Sequence, residues 1–281
     1  MKILKKMLDP YEEHFFVSLS NVWEAYVKGI IPDNCYLDSC LSERSNPVDF
    51  LRKEMSSLVI DRSLSMKKKI TEAMNVNHRL GKLMIYKNFL SLHKTCLKYL
   101  IDYIPGFQDM AESTKNTIVS KSWFAVKVLR GVSVTNTTDY SHIELTGEDI
   151  TVDFYNEIGV PTSLLNDIKL IIFSIFTQGS NMREFPLIMA IIFLSVDLED
   201  ENVAFSDRPV LQRLLKMAST VLLKMIKQVN YTVDFQRHVA RVFQHMQITK
   251  QKLRTDRDEI HNYSVYEPKI MSLSEIPSPC P

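Results

Sequence analysis

The sequence is short of the motifs on which most enzymes depend. Glycine accounts for 7 of 281 residues, and no glycine-rich phosphate loop, His-Glu-x-x-His helix or nucleophile-elbow motif is present. The nearest approach to a catalytic pair is His93 with Cys96, three residues apart, and no third group is available to orient it. We therefore expect a protein that is not an enzyme and that uses no cofactor.

Cysteine is also scarce, with four residues at positions 35, 40, 96 and 280. None of them forms a Cys-x-x-Cys pair, which excludes a zinc finger in this sequence and leaves no metal site to predict. Cys35 and Cys40 have no histidine nearby, so free thiols are favoured. The N-terminal apolar residues are interrupted by Lys5, Lys6 and Asp9, which argues against a secretory signal. Together these features predict an intracellular, reducing environment.

An excess of charge of one sign is missing as well. Lys and Arg number 34 against 33 Asp and Glu, for a net charge of +1, so direct contact with DNA is not expected. The tight basic cluster Lys67-Lys68-Lys69 is typical of a solvated helix face. The most apolar run, Phe185 to Val196, is shorter than the roughly 20 residues that span a bilayer. A core helix and no membrane span are therefore predicted.

What the sequence does have is helical periodicity over most of its length. Apolar residues recur at helical spacing in a segment that ends near Gly29 and is broken near Asp9-Pro10, and then over residues 48–58, 70–104, 112–130, 162–176, 184–196, 209–229 and 234–257. Residues 170–176 and 187–194 are apolar on more than one side, as in a helix enclosed between others. The prediction is an all-α fold, a three-layer antiparallel helical sandwich of about 10–12 helices.

Two segments differ from this pattern. Residues 131–149 are rich in β-branched and turn-forming residues, which favours either a small β-hairpin or an irregular loop. Residues 31–47 are rich in turn formers and resemble a linker. We therefore divide the chain into an N-terminal, hinge-like extension over 1–47, which could also supply extra helices that cap the fold, and one domain over 48–281.

Residues 101–124, IDYIPGFQDMAESTKNTIVSKSWF, break one apolar helix and soon start another. Pro105 cannot continue a helix and forces the preceding residue towards extended angles. This stretch resembles the signature of the nuclear hormone receptor ligand-binding domain, with Pro105, Phe107, Met110 and Trp123 at the spacings of that family. Residues 185–197, 207–226 and 234–253 resemble its eighth, ninth and fused tenth and eleventh helices. The resemblance covers roughly Val48 to Ile276 and is greatest to the divergent, expanded set of nematode receptors.

The resemblance implies a receptor-type transcription regulator that is nuclear or nucleocytoplasmic. Its partners would be a small hydrophobic ligand, coregulator peptides of the form Leu-x-x-Leu-Leu, and a second receptor in a homo- or heterodimer. The family reaches DNA through a separate two-zinc module that this sequence lacks. The chain would then be a fragment, or it would act by dimerising with a complete receptor. The alternative function is a helical adaptor that modulates full receptors and has no true pocket.

By the same resemblance, the ligand pocket would be lined from the third and fifth helices. The expected lining residues are Phe89, Leu90, His93, Cys96, Trp123, Val126 and Arg130. His93 and Arg130 would be the polar groups that orient a ligand in an otherwise apolar cavity. The alternatives are that His93 is a hydrogen-bonded core or surface histidine and that Arg130 is a solvated helix end.

The coregulator groove departs from the family pattern. Asp102 stands where the family has a lysine that binds the peptide's C-terminal carbonyls, and Lys98 lies one turn earlier. Lys115 stands where the signature has glutamine, and Lys121 follows the position of the usual basic residue of the fourth helix. The terminal activation helix would supply Leu273, Glu275 and Ile276, but Ser272 and Pro277 do not fit. An altered groove is therefore expected.

The dimer surface would lie on the tenth helix. The residues expected there are Arg237, Arg241, Val242 and Gln244, and the alternative is a partly solvated amphipathic helix.

Overall fold

The computed structural model describes residues 8–28, 46–135, 141–159, 165–166 and 182–229. Over these residues it contains seven helices: α1 (Pro10–Lys28), α2 (Asn46–Val76), α3 (His78–Leu100), α4 (Glu112–Val134), α5 (Val152–Ile158), α6 (Phe185–Leu194) and α7 (Arg208–Val229). Short 3₁₀ turns cover Ile101–Tyr103, Met182–Glu184 and Phe205–Asp207. Strands β1 (His142–Ile143) and β2 (Asp149–Ile150) pair antiparallel. The predicted all-α class with a small hairpin is confirmed. The predicted helix over 234–257 and, apart from residues 165–166, the one over 162–176 lie outside the described residues.

Helix α1 begins where the sequence predicts a break, at Asp9-Pro10. The Asp9 carboxylate accepts hydrogen bonds from the backbone N–H groups of Tyr11 and Glu12, each at 2.9 Å. The Glu12 carboxylate accepts in return from the Asp9 N–H at 3.0 Å. This reciprocal capping box satisfies N–H groups that the first helical turn leaves free, and Pro10 suits the first helical position because it has no N–H to satisfy.

The continuous helical pattern predicted from Ile70 to Ile104 is wrong at one residue. Asn77 adopts an extended conformation, and its side chain caps α3 by accepting from the N–H groups of Arg79 and Leu80. One residue therefore separates α2 from α3, and the two helices fold back on each other. The start of α2 consequently lies near the end of α3, where the Phe50 and Tyr103 rings are 6.5 Å apart.

Gly81 permits the close approach of these two helices. A Cβ atom at this position would lie 2.2 Å from the Met74 sulfur and 2.9 Å from the Met74 Cα. No side chain larger than a hydrogen fits without moving α2.

Helix α6 is enclosed, as its uninterrupted apolar sequence predicts. Nine of its ten residues are buried, and it contacts α1, α4 and α7. The Trp23 ring of α1 meets the Phe185 ring edge to face at 6.0 Å. This is the position of a helix in a middle layer, because every side of the helix faces apolar neighbours.

Helix α1 packs into the same core, although it precedes the predicted domain boundary at residue 47. Phe15, Leu19 and Tyr26 are fully buried in the apolar cluster that contains α6 and α7. The Glu12 carboxylate also pairs with the Lys224 ammonium of α7 at 2.6 and 2.7 Å. The first described helix is thus an integral part of this core.

The corner between α3 and α4 forms as Pro105 predicts. Ile104 is extended, with φ −86° and ψ 124°, and Gly106 takes a positive φ of 88°. The Phe107 side chain is completely buried. A Cβ atom on Gly106 would lie 3.0 Å from a Leu214 methyl group, so α7 packs directly against this corner.

Candidate functional site

The predicted pocket residues lie on facing parts of α3 and α4. Phe89, His93 and Cys96 of α3 and Val126 and Arg130 of α4 are buried. The other two predicted residues, Leu90 and Trp123, are partly exposed. The interior between the two helices is therefore apolar, with His93 and Arg130 as polar groups within it.

His93 uses both ring nitrogens in contacts with other protein side chains. Nδ1 lies 2.8 Å from the Tyr26 hydroxyl of α1, and Nε2 lies 2.6 Å from the Glu144 carboxylate. Glu144 follows strand β1 and is 1% exposed. Its second oxygen accepts from the Lys127 ammonium at 2.9 Å and lies 3.2 Å from His142 Nε2. We call His93, Glu144, Lys127, His142 and Tyr26 the interior polar cluster.

The charges of the interior polar cluster follow from its geometry. Burial alone would raise the pKa of Glu144, but Lys127 and the two histidines outweigh that effect and hold its pKa well below the usual range. Burial lowers the pKa of His93 to about 4, although Glu144 opposes that shift. At neutral pH the carboxylate is ionised and His93 is neutral. Because an ionised carboxylate only accepts hydrogen bonds, His93 Nε2 carries the proton and Nδ1 accepts from Tyr26.

Arg130 joins α4 to the end of α1, about a hundred residues earlier, and to the nearby strand β1. Its guanidinium donates to the carbonyl oxygens of Tyr26 at 3.1 Å and Val27 at 3.0 Å, and to that of Ile143 at 2.9 Å. The first two carbonyls belong to the last turn of α1, where the helix dipole is negative and favours a cation. The side chain is 1% exposed, so Arg130 is not a solvated helix end. Helix α4 thereby holds the end of α1 and strand β1 together.

The interior polar cluster continues towards α5. The Tyr155 hydroxyl lies 3.2 Å from His142 Nε2, and the two rings stack at 5.8 Å. Tyr86 of α3 meets Tyr155 edge to face. Nowhere in the described ranges do three His, Cys, Asp or Glu side chains converge in a way that could hold a metal ion. The described contacts of the cluster connect α1, α3, α4, α5 and the hairpin.

The described groove residues all form ion pairs, and one of them, Lys115, is buried. The Lys115 ammonium lies 2.6 Å from Asp102 and also donates to the Gln108 carbonyl at 3.1 Å. Lys98 pairs with Glu112 at 3.1 Å, and Lys121 pairs with Asp200. The carboxylate of Asp102 therefore does not stand alone, because Lys115 places a positive charge beside it. The remaining predicted groove residues, Leu273, Glu275 and Ile276, lie outside the described residues, as do all four predicted dimer residues, Arg237, Arg241, Val242 and Gln244.

Four members of the interior polar cluster, all except His93, were not predicted from the sequence. Tyr26 lies in the segment taken as an extension, and His142 and Glu144 lie in the segment taken as a hairpin or loop. Lys127 does carry a signal, since it stands three residues before Arg130 on an otherwise apolar stretch of helix. Two cations at i and i+3 share one helix face. On a buried face such a pair predicts a carboxylate on the neighbouring element, because buried charges need partners of opposite sign.

Comparison with known proteins adds no assignment. The chain matches no protein-family model, and no curated protein matches it. Among the described helices, none is long and apolar enough to cross a membrane.

Proposed function

We propose that this chain is the ligand-binding domain of a nuclear receptor-type transcription regulator. The observation that carries the proposal is the corner from Ile104 to Phe107. An extended residue before Pro105, a positive-φ Gly106 and a fully buried Phe107 join two helices there. The enclosed α6 and then α7 follow this corner in the order that the resemblance implies for the eighth and ninth helices.

In this proposal the space between α3 and α4 receives a small hydrophobic ligand. Phe89, Cys96 and Val126 supply apolar surface, and the interior polar cluster borders it. The groove near Asp102 and Lys115 receives a coregulator helix, and a second receptor pairs with the chain as a homo- or heterodimer. The site of action is the nucleus.

One observation favours a second candidate, the helical adaptor without a ligand. Both ring nitrogens of His93 form hydrogen bonds with protein side chains, and the Arg130 guanidinium donates three hydrogen bonds to backbone carbonyls. The two side chains expected to orient a ligand therefore already have structural roles. In this case the chain pairs with complete receptors and modulates them through its surface alone.

A reporter assay tests the shared claim of transcription regulation. The full chain is fused to an unrelated DNA-binding domain and expressed with a reporter that carries the matching sites. Activation or repression relative to the DNA-binding domain alone supports the class. An unchanged reporter in the presence of a panel of full receptors contradicts both candidates.

Native mass spectrometry then separates the two candidates. A co-purifying apolar molecule that is lost in His93→Gln and kept in Lys94→Gln supports the receptor, because Lys94 is the exposed neighbour on the same helix. A bare mass for every variant from several expression hosts supports the adaptor. The same spectra report whether the chain is a dimer.

A further inference from the structure

The far half of the α2–α3 hairpin differs in charge from the rest of the chain. Between Ile60 and Lys87 there are seven Lys and Arg residues and two acidic residues, a net charge of +5. The whole chain carries +1. The positive charge of the protein is therefore concentrated in one pair of helices.

One outward face of α2 combines this charge with exposed aliphatic side chains. Ile60, Leu64, Lys67, Lys68 and Thr71 follow helical spacing at i, i+4, i+7, i+8 and i+11, so they share a face. All five are exposed, and Ile60 and Leu64 remain 47% and 62% accessible. We call these five residues the α2 outer face. It is about 16 Å long, from eleven steps of 1.5 Å.

The α2 outer face is not needed to hold α2 on α3. The buried side chains of α2 are Val48, Leu51, Met55, Val59 and Ala73, which lie on the opposite side of the helix. Lys68 is 87% exposed and approaches Glu72 only at 3.9 Å, a contact of little strength in water. Exposed aliphatic side chains next to lysines thus remain open to a partner.

We propose that the α2 outer face docks an acidic amphipathic helix of a partner protein. Two aliphatic side chains at one end and two ammonium groups at the other match a helix with apolar residues at i and i+4, followed by carboxylates one turn later. This is recognition of a helix by its apolar stripe, with register and orientation set by complementary charge. The inference goes beyond the proposed receptor function and does not depend on it.

The same features argue against an anionic membrane surface or a nucleic acid as the partner. A helix that lies in an anionic bilayer surface presents a broad apolar face with aromatic anchors, and the α2 outer face has two aliphatic side chains and no aromatic ring. A nucleic-acid backbone offers phosphates and sugars, which would satisfy the lysines and leave Ile60 and Leu64 without apolar contacts.

A display selection tests the proposal without assuming a partner sequence. A library of random 16-residue peptides is selected on the full chain and counter-selected on the Lys67→Glu/Lys68→Glu variant. Enriched peptides should carry Leu, Ile, Met or Phe at helical spacing next to Asp or Glu. A synthetic copy of the most enriched peptide is then measured by fluorescence anisotropy.

The expected losses are set by the contacts removed. The Lys67→Glu/Lys68→Glu variant should weaken the peptide about tenfold or more, and Leu64→Ser should weaken it about fivefold to tenfold. The matched control is Arg213→Glu/Lys216→Glu, which makes the same change of charge on an exposed face of α7 and should leave affinity within twofold. Circular dichroism of each variant verifies that the fold is kept.

Each other outcome overturns the proposal. Failure to enrich any peptide excludes helix docking at this face. Peptides that bind the α7 variant as weakly as the α2 variant indicate attraction by overall charge alone. Tighter binding of random-sequence duplex DNA or of vesicles with 30% phosphatidylserine, unaffected by Leu64→Ser, assigns the lysines to a polyanion instead.

Discussion

Glu184 is a buried carboxyl group whose ionisation should weaken the fold. It precedes α6 and is 3% exposed, and its Oε2 atom has no hydrogen-bond partner among the groups that the structure describes. Burial raises the pKa of Glu184 to about 7. Ionising a carboxyl that lacks compensating bonds is costly because the charge loses its water. We therefore predict that Glu184→Gln, which keeps the shape and removes the charge, makes the protein more stable at alkaline pH.

The sign and size of the effect follow from linkage. The unfolded chain releases the Glu184 proton near pH 4.5, while the folded chain keeps it until about pH 7. Between these values the folded state binds more protons than the unfolded state, so stability falls as pH rises through this window. The loss between pH 5 and pH 8 is about 2 to 3 kcal/mol for a shift of this size. Above pH 8 the loss stays constant.

The assay is urea unfolding of the native chain and of Glu184→Gln at pH 5, 6, 7 and 8, followed by tryptophan fluorescence. The quantity of interest is the difference in unfolding free energy between the two proteins. It should grow by about 2 to 3 kcal/mol from pH 5 to pH 8. An absolute offset at pH 5 reports only the exchange of a carboxyl for an amide. Glu201→Gln, at an exposed position, is the matched control and should give a flat difference. A flat difference for Glu184→Gln as well would refute the reasoning.

Three further predictions concern contacts of the interior. Gly81→Ala should destabilise the chain by about 1–3 kcal/mol through overpacking against Met74. Adding Met74→Ala should recover part of that loss, as measured by urea unfolding. A neutral Gly81→Ala would contradict the close approach of α2 to α3. Arg130→Met should lower the free energy of unfolding by about 3 kcal/mol or more, because buried carbonyls lose a charged donor. Limited proteolysis should then cut α1 first. An unchanged digestion pattern would contradict the role of Arg130 in holding α1. His93 has a pKa lowered to about 4 from 6.5, so the unfolded state binds its proton first and stability should fall as pH drops from 6.5 towards 4, by about 3 kcal/mol. His93→Gln should flatten that dependence, and an equally steep acid loss in the variant would argue against the assignment.

Local sequence predicted those parts of the fold that short segments determine. Pro105 restricts its own φ and the conformation of Ile104, so the corner could be placed without knowing its surroundings. The apolar run from Phe185 to Val196 has no polar face, and such a helix is stable only when it is enclosed. The break at Asn77 was missed because apolar residues continue at helical spacing on both sides of it, and the cap depends on one side chain.

The interior polar cluster could not be predicted because its bonds join distant segments. His93 meets Tyr26 across 67 residues and Glu144 across 51. No periodicity links these positions, and each residue alone is ordinary for a helix or a loop. Placing α1 in the core was equally out of reach, since its apolar face is compatible with either a separate helix or a docked one.

Arg130 is synthesised long after the α1 carbonyls to which it donates. Its hydrogen bonds to Val27 and Tyr26 close gaps of 103 and 104 residues. At a synthesis rate of about 5–20 residues per second, α1 leaves the ribosome roughly 5–20 s before Arg130 does. During that delay neither Arg130 nor α6 is present to pack against α1, which carries the apolar side chains Phe15, Leu19 and Trp23. Helix α2 also contacts α1 and is made earlier, but the α1 surface that packs against α6 stays uncovered until residues 185–194 are synthesised. We expect chaperones to bind this apolar surface first.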